Sequence, residues 1–491
     1  MLADGGNAVD ACLAAAFVSW VVESPLTGPG GGGFLLVHRA RDGRSRLLDF
    51  FVSVPGARLR GTAADMETID VDFDGSTTQA FRVGAASVAV PGAVAGLATA
   101  HRVYGTVPWP RLLEPAIALA RDGFELTPEQ AYLHAILDII LRHTEAGEAI
   151  YGRNGERLSA GDRLAMPDLA QTLELLADEG AGAFYTGRIA RVLTKYVRSQ
   201  GGWLTPDDLA NYRVLWRRPI DAAFRGHQFV SNPPPSSGGV LIAYGLRLLD
   251  RAGLGGPLGS ADAIARLAQV MSEQTAARGP AFTRGLHRGG LARRLCEDEH
   301  VEAAAGRILT GTTHISAVDA AGNAASLTGS TGSGSGVVVP GTGIHLNNML
   351  GESDLNQSGR PRRPGGRLTS MMAPSIVPHD GRPRLVVGSA GSIRLRGAIL
   401  QIVVNAIGHR LAVADAIDEP RVHLDETHIH CEGGTDSAVM DELERTGYDV
   451  VRWRQRNLYF GGAAAVELRP DGTLAAAGDP RRGGHGIVVG A

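Results

Sequence analysis

Thr312-Thr313-His314-Ile315-Ser316 reads as a strand that begins abruptly at a threonine, with Gly311 immediately before it. Threonine is β-branched, so an ordinary strand accounts for both threonines. The same pair also suits one known chemistry. If the Gly311–Thr312 peptide bond is cut, Thr312 gains a free α-amine that can serve as general base for its own hydroxyl. Nucleophile and base then sit on one residue. The rest of the chain decides between these readings.

The chain has 491 residues, 44% of them hydrophobic, ample for a buried core of two or three domains or one large unit. A net charge of −3 with no basic tract excludes nucleic acid as a partner class. Lys195 is the only lysine, so nearly every cation is arginine. Cys12, Cys296 and Cys431 are odd in number and lack framework spacing, so no disulfide scaffold is expected. No charged segment followed by an apolar one opens the chain, and the apolar runs stop short of a membrane span. The expectation is a soluble, cytoplasmic protein that takes a small-molecule substrate.

Residues 7–22 read as an alanine-rich helix capped by Asn7. Residues 28–33 form a glycine-rich turn leading into a buried strand at 34–37. A phosphate loop needs a following helix or a lysine among the glycines, and neither is present. From 91 to about 249 the pattern reads as mainly helical. It includes a helix at 108–119, a short one at 207–212, and a rigid turn at 232–239 before a long helix. After Thr312 it switches to strands at 315–318, 324–327 and 337–339, then an apolar helix at 398–407, just after Gly397. Helices before strands predict an α+β layering. The early strand at Phe34 implies one sheet system built from both ends of the chain, with no clean domain boundary. His428 and His430 alternate on one strand face near His423 and Cys431. Lacking a full ligand set, this group reads as a surface strand and not a zinc site. Asp479-Pro480-Arg481 reads as a structural turn.

Several segments together resemble the γ-glutamyltranspeptidase family. Gly5-Gly6-Asn7-Ala8-Val9-Asp10-Ala11 resembles its first helix, Gly30 to Phe34 its glycine turn, and Val90-Pro91-Gly92 with Gly96 its next signature. Asp208 to Arg213, Pro233 to Gly239, Thr312 to Ser316 and Leu346-Asn347-Asn348 follow in family order over nearly the whole chain. The resemblance implies an N-terminal-nucleophile hydrolase fold, a four-layer αββα sandwich. It also implies one unit over 1–491, cut into a large fragment 1–311 and a small fragment 312–491 that remain paired as a heterodimer. No cofactor and no metal are implied. Carried over by position, Thr312 is the nucleophile, and Thr313, Thr328 and Ser330 are hydroxyls around it. Gly391 and Ser392 resemble the pair whose N–H groups form the oxyanion hole, where each donor contributes roughly 3 kcal/mol. Thr369-Ser370 resembles the serine pair that holds the substrate carboxylate, and Glu352 stands where an aspartate takes the substrate amine.

The departures bear on substrate. The family carries an arginine after Leu48-Asp49-Phe50 that clamps the glutamyl α-carboxylate. Here Phe51-Val52-Ser53 fills the segment, and a phenylalanine cannot replace an arginine–carboxylate fork. After Ser330 the family has Asn or Glu for the substrate amine, but Thr331-Gly332-Ser333-Gly334 carries neither. Arg394 and Arg396, just past the oxyanion segment, are candidates to supply the missing charge. The stretch from Glu352 to Thr369 is short for a lid, so an open site with Phe51 as an apolar wall is expected. The expected function is a self-processing N-terminal-threonine hydrolase acting on a group that is not γ-glutamyl. Three alternatives stand beside it: a C–C bond hydrolase of an antibiotic pathway, an authentic γ-glutamyltransferase or glutathione hydrolase, and an unprocessed, non-enzymatic homologue.

Overall fold

The computed structural model describes residues 1–56, 59, 64–73, 77–287, 291, 295, 312–352, 355, 363–391, 393–425 and 427–490. Gly311, Cys296 and Ser392 lie outside the described residues, as does most of the stretch between Glu352 and Arg363.

Two antiparallel sheets stack face to face. The first runs Thr313–Val318, Ala324–Ser330, Gly32–Arg39, Arg44–Phe50, Leu215–Arg217. The second runs Ile220–Phe224, His227–Ser231, Ser375–His379, Arg382–Ala390, Gly462–Leu468, Leu474–Gly478. Each sheet takes strands from both sides of residue 312, as the early strand at Phe34 led us to expect.

Strand periodicity builds the layers. Side chains alternate between faces, so Phe34 and Leu36 point one way while Leu35 and Val37 point the other. Phe34, Leu36, Leu47, Phe51, Val230, Ile376 and Val386 fill the space between the sheets. Leu35, Val37, Leu48 and Phe50 pack under the helices Ala8–Val22, Ala93–Tyr104 and Trp109–Asp122. Phe229, Val377, Leu385 and Val387 pack under Gly238–Ala252 and Ile393–Val403. The result is the α+β sandwich of four layers, helix–sheet–sheet–helix. The central strands are buried on both faces, which is why they read as continuous apolar runs.

The helix Ala8–Val22 is apolar on nearly every side because it is buried on nearly every side. Its start is held by a reciprocal cap. Asn7 Oδ1 accepts from the N–H groups of Val9 (2.8 Å) and Asp10 (3.0 Å), and Asp10 Oδ2 accepts from Asn7 N–H at 3.0 Å. Ala8 N–H donates to Asp319 Oδ2 at 3.1 Å, so the turn leaving the Thr313–Val318 strand is fastened to the positive end of this helix. The glycine turn has a packing cause. A Cβ on Gly33 would stand 2.2 Å from the Thr328 carbonyl oxygen, so the run permits close backbone approach.

Two expectations need correction. The region 91–249 is not simply helical, because it supplies Leu215–Arg217, Ile220–Phe224 and His227–Ser231 to the two sheets. The last two form a two-residue hairpin with Arg225 and Gly226 at φ 50° and 78°. Both central residues have positive φ, as in a type I′ turn, which usually signals itself by Asn-Gly or Asp-Gly. Arginine in the first position concealed it. The helix expected at 398–407 begins instead at Ile393 and runs into a π-helical turn, Val404–Gly408. Gly397 lies inside it, close against the Met271 side chain.

Candidate active site

The site is organised by the pairing of two strands. Thr313 lies opposite Gly329, and His314 opposite Thr328. One more step of that register sets Thr312 opposite Ser330. Alternation gives Thr312 the inter-sheet face of His314 and sends Thr313 to the helix face. Thr312 is 4% exposed and Ser330 1%. Ser330 Oγ accepts from Gly332 N–H at 2.8 Å, shaping the loop beside the threonine. Thr313 donates its hydroxyl to Glu23 Oε2, just past the end of the Ala8–Val22 helix. Burial raises the Glu23 pKa, while the Thr313 hydrogen bond and the Arg482 charge lower it.

His314 bridges the two sheets. Ser316 Oγ donates to the Ala464 carbonyl (3.2 Å), so it accepts from His314 Nε2–H (3.0 Å). Nδ1 is then the acceptor and takes the Thr328 hydroxyl proton at 2.8 Å, an assignment made from the network. Burial pushes the His314 pKa down to about 3, so the ring is neutral and this single order of donors holds. A Cβ on Gly388 would meet the imidazole at 2.3 Å, so glycine leaves the ring its room in the facing sheet.

Gly391, at φ 112°, follows the strand Arg382–Ala390. Arg482 connects it to Thr312. The guanidinium Nη1 lies 3.5 Å from the Thr312 carbonyl oxygen, and Nη2 lies 3.8 Å from where a Gly391 Cβ would stand. Glu352, 4% exposed, comes to the same loop as Ser330. Its Oε1 lies 3.0 Å from the Cβ direction of Gly332, whose other neighbour is Asn348 Oδ1. Asn348 accepts from Ser333 N–H at 3.1 Å and donates to Ser333 Oγ at 2.7 Å.

Thr369 and Ser370 run beside the segment of Phe51, where Leu368 N–H donates to the Val52 carbonyl at 3.2 Å. Thr369 donates its hydroxyl to Leu355 O at 2.9 Å. The Ser370 carbonyl accepts from Ser237 N–H and Oγ at 2.8 and 3.0 Å, so the turn before the helix Gly238–Ala252 braces this segment. Phe51 is 1% exposed and stacks on Phe34 with ring centres 5.5 Å apart. The arginine beside it, Arg367, is committed to Asp49 (3.2 Å), the Tyr212 hydroxyl (2.7 Å), the Arg213 carbonyl (2.7 Å) and the Phe51 carbonyl. Arg394 lies 4.1 Å over the Tyr459 ring, and Arg396 donates to Thr275 Oγ1 at 2.9 Å. His430 Nε2 meets Asp425 at 2.9 Å, and Trp453 donates to its Nδ1 at 3.2 Å. Among the described residues no three His, Cys, Asp or Glu side chains are grouped to hold a metal. No helix among them is long and apolar enough to cross a membrane.

A buried threonine leading an edge strand, a neighbouring serine loop and a glycine turn at one guanidinium make a constellation for acyl chemistry. Residues 1–489 match the family model described as gamma-glutamyltranspeptidase. The chain belongs to the γ-glutamyltranspeptidase family. It is 34% identical over 516 residues to the acylase ACY 1 proenzyme of Pseudomonas sp. (strain SE83), covering 100% of this chain and 90% of the relative. It is 33% identical over 522 residues to the glutathione hydrolase proenzyme of Escherichia coli (strain K12), covering 98% and 87%. The crystal structure of cephalosporin acylase from Bacillus halodurans superimposes with a TM-score of 0.84 at 25% identity, covering 100% of this chain and 93% of that one. The protein is therefore an enzyme of the N-terminal-nucleophile class, a hydrolase or acyltransferase, with that class's fold.

Three residues that the structure brings beside Thr312 and Thr313 escaped the sequence reading: Glu23, His314 and Arg482. Glu23 had no neighbouring signal. His314 stood inside the decisive stretch, but its role depends on Gly388, 74 residues later in the chain. Arg482 follows a turn read as structural one residue too early.

Buried histidines set an acid limit. His345 and His134 are, like His314, depressed by burial, each to about 4. Their folded pKa values lie below the unfolded value, so the unfolded chain binds the extra protons, and stability falls as pH drops through 6.5 towards 4. Each such proton costs about 1.4 kcal/mol per pH unit in that window. Glu23 and Glu419, whose pKa values burial raises, work in the opposite sense but are two groups against three. The melting temperature should fall by several degrees between pH 7.5 and pH 5, and calorimetry showing a flat profile would count against this account.

Proposed function

We propose that the protein is a self-processing acyl hydrolase whose nucleophile is Thr312 and whose acyl group is not γ-glutamyl. A cut at Gly311–Thr312 frees the amine that takes the hydroxyl proton. The Thr312 oxygen attacks the substrate carbonyl, and the N–H groups of Gly391 and Ser392 receive the oxyanion; the C–N bond then breaks as the leaving amine takes the proton from the Thr312 α-amine, and water hydrolyses the acyl ester to release the acid and restore the hydroxyl. Fragments 1–311 and 312–491 remain together as a heterodimer. Two relatives whose names include the word proenzyme support the processing step, and the acylase among them supports the reaction. The observation that carries the substrate reading is at position 51. A phenylalanine ring is buried there against Phe34, and the adjacent Arg367 is spent on the Asp49 carboxylate, Tyr212 and three backbone carbonyls.

N-terminal sequencing of the smaller fragment should begin at Thr312. Turnover of γ-glutamyl-p-nitroanilide should be at least tenfold lower in kcat/KM than that of glutaryl-p-nitroanilide, which lacks the α-amine for which Thr331-Gly332-Ser333-Gly334 offers neither Asn nor Glu. A preference for the γ-glutamyl compound would return the protein to the glutathione hydrolase reading.

A further inference from the structure

Arg481 and Arg482 are adjacent, yet their surroundings are opposite. Arg481 is 7% exposed and saturated, meeting Asp479 at 3.1 Å, Glu432, and the carbonyls of Ile417 and Glu419 at 2.9 Å each. Arg482 has no carboxylate within 4 Å among the described residues, and its Nε is buried without a partner. Among the described residues its side chain makes one hydrogen bond, the long one, 3.5 Å, to the Thr312 carbonyl. Two acids act on it electrostatically, and both are already engaged: Glu23 by Thr313, and Asp479 by Arg421 and Arg481. The side chain occupies a prepared slot, since a Cβ on Gly462 would strike its Cδ at 2.3 Å. Guanidinium groups are costly to bury and are kept where planar, bidentate recognition of an oxyanion is needed. With its fork largely unspent beside the nucleophile and the glycine turn, Arg482 is built to meet an anion that arrives with the substrate.

We infer that Arg482 is a specificity-determining residue that binds a carboxylate carried by the substrate, so that the preferred substrates are amides of acids bearing a second, free carboxyl group. This rests on the acyl-hydrolase reading above. It places the carboxylate at the C-terminal turn and away from position 51.

The test compares glutaryl-p-nitroanilide with its methyl ester on the full protein. Wild type should favour the free acid. In Arg482→Gln, KM for the acid should rise at least tenfold while the ester changes less than twofold. Arg482→Lys, which keeps the charge and loses the fork, should fall between. An equal loss on both substrates would mean that Arg482 serves the reacting carbonyl, and the inference is then wrong. Mass spectrometry of each variant separates processing from binding. If Gln is left uncut, Lys carries the comparison. If neither is cut, Arg482 belongs to maturation and the inference falls. If wild type is cut but hydrolyses neither anilide, the acyl-hydrolase reading fails on its own. Glutarate binding by calorimetry then decides Arg482 separately: saturable binding lost in Arg482→Gln upholds the assignment, and no binding to wild type overturns it.

Discussion

Thr312→Ala is expected to leave one uncut chain and to abolish turnover. In the proposed mechanism the hydroxyl is the attacking atom in both events, first on the peptide bond before it and then on substrate, so one substitution removes both. Loss of a covalent nucleophile in a comparable hydrolase costs on the order of 10⁶ in kcat, and the alanine protein should lie at the detection limit. The fold should survive. The strand Thr313–Val318 keeps its pairing with Ala324–Ser330, and the His314 bridge does not use residue 312. Electrophoresis and mass spectrometry should show a single polypeptide, with the melting temperature close to that of the unprocessed wild type. An alanine protein that is still cut before residue 312, or that still turns over, would remove Thr312 from the mechanism.

Arg481→Met should be the most destabilising single change outside the core. Arg481, Glu432, Asp479 and Arg421 form a buried four-charge cluster in which Arg421 meets Asp479 at 2.6 Å. Asp479 also accepts from Ala463 N–H at 2.9 Å, and Glu432 from Asn457 N–H at 3.0 Å. Burial raises the Asp479 pKa, but Arg421 and Arg481 more than reverse this, so it stays charged. Removing one arginine leaves an uncompensated buried carboxylate, which costs roughly 3–5 kcal/mol. The urea midpoint should move down by an amount equivalent to that loss at unchanged slope. A shift below about 1 kcal/mol would show that water or rearrangement compensates the site. Activity should also suffer, because the cluster anchors the turn that presents Arg482.

Much of the architecture was legible because local chemistry and global packing agree. Asn7 caps the first helix as its sequence announces, and the apolar run at Phe34 is a central strand because both faces are covered. Legibility failed where a partner lies far away in the chain. The strands at 220–224 and 227–231 are short, and their Arg225-Gly226 turn lacks the usual residues. The run of Gly397 into helix shows the same limit, since Met271 decides how it packs. Of the candidate site residues, Thr312, Ser330 and Gly391 were named from an ordered set of motifs. Glu23, His314 and Arg482 act through residues 74 to 290 positions distant, so no window of sequence contains their meaning.

The pairing of Gly32–Arg39 with Ala324–Ser330 spans seven successive residue pairs, from Gly32 with Ser330 to His38 with Ala324. These strands lie on opposite sides of Thr312, so a cut there divides the covalent chain but leaves the sheet whole. The pieces would be held like two halves of a zip closed before the cord was severed. They should elute as one particle at any dilution, melt in one transition and resist separation without denaturant. The order of events is constrained too: such a sheet is most readily assembled while its strands are tethered, so scission belongs after folding, and fragments made separately should recombine slowly if at all.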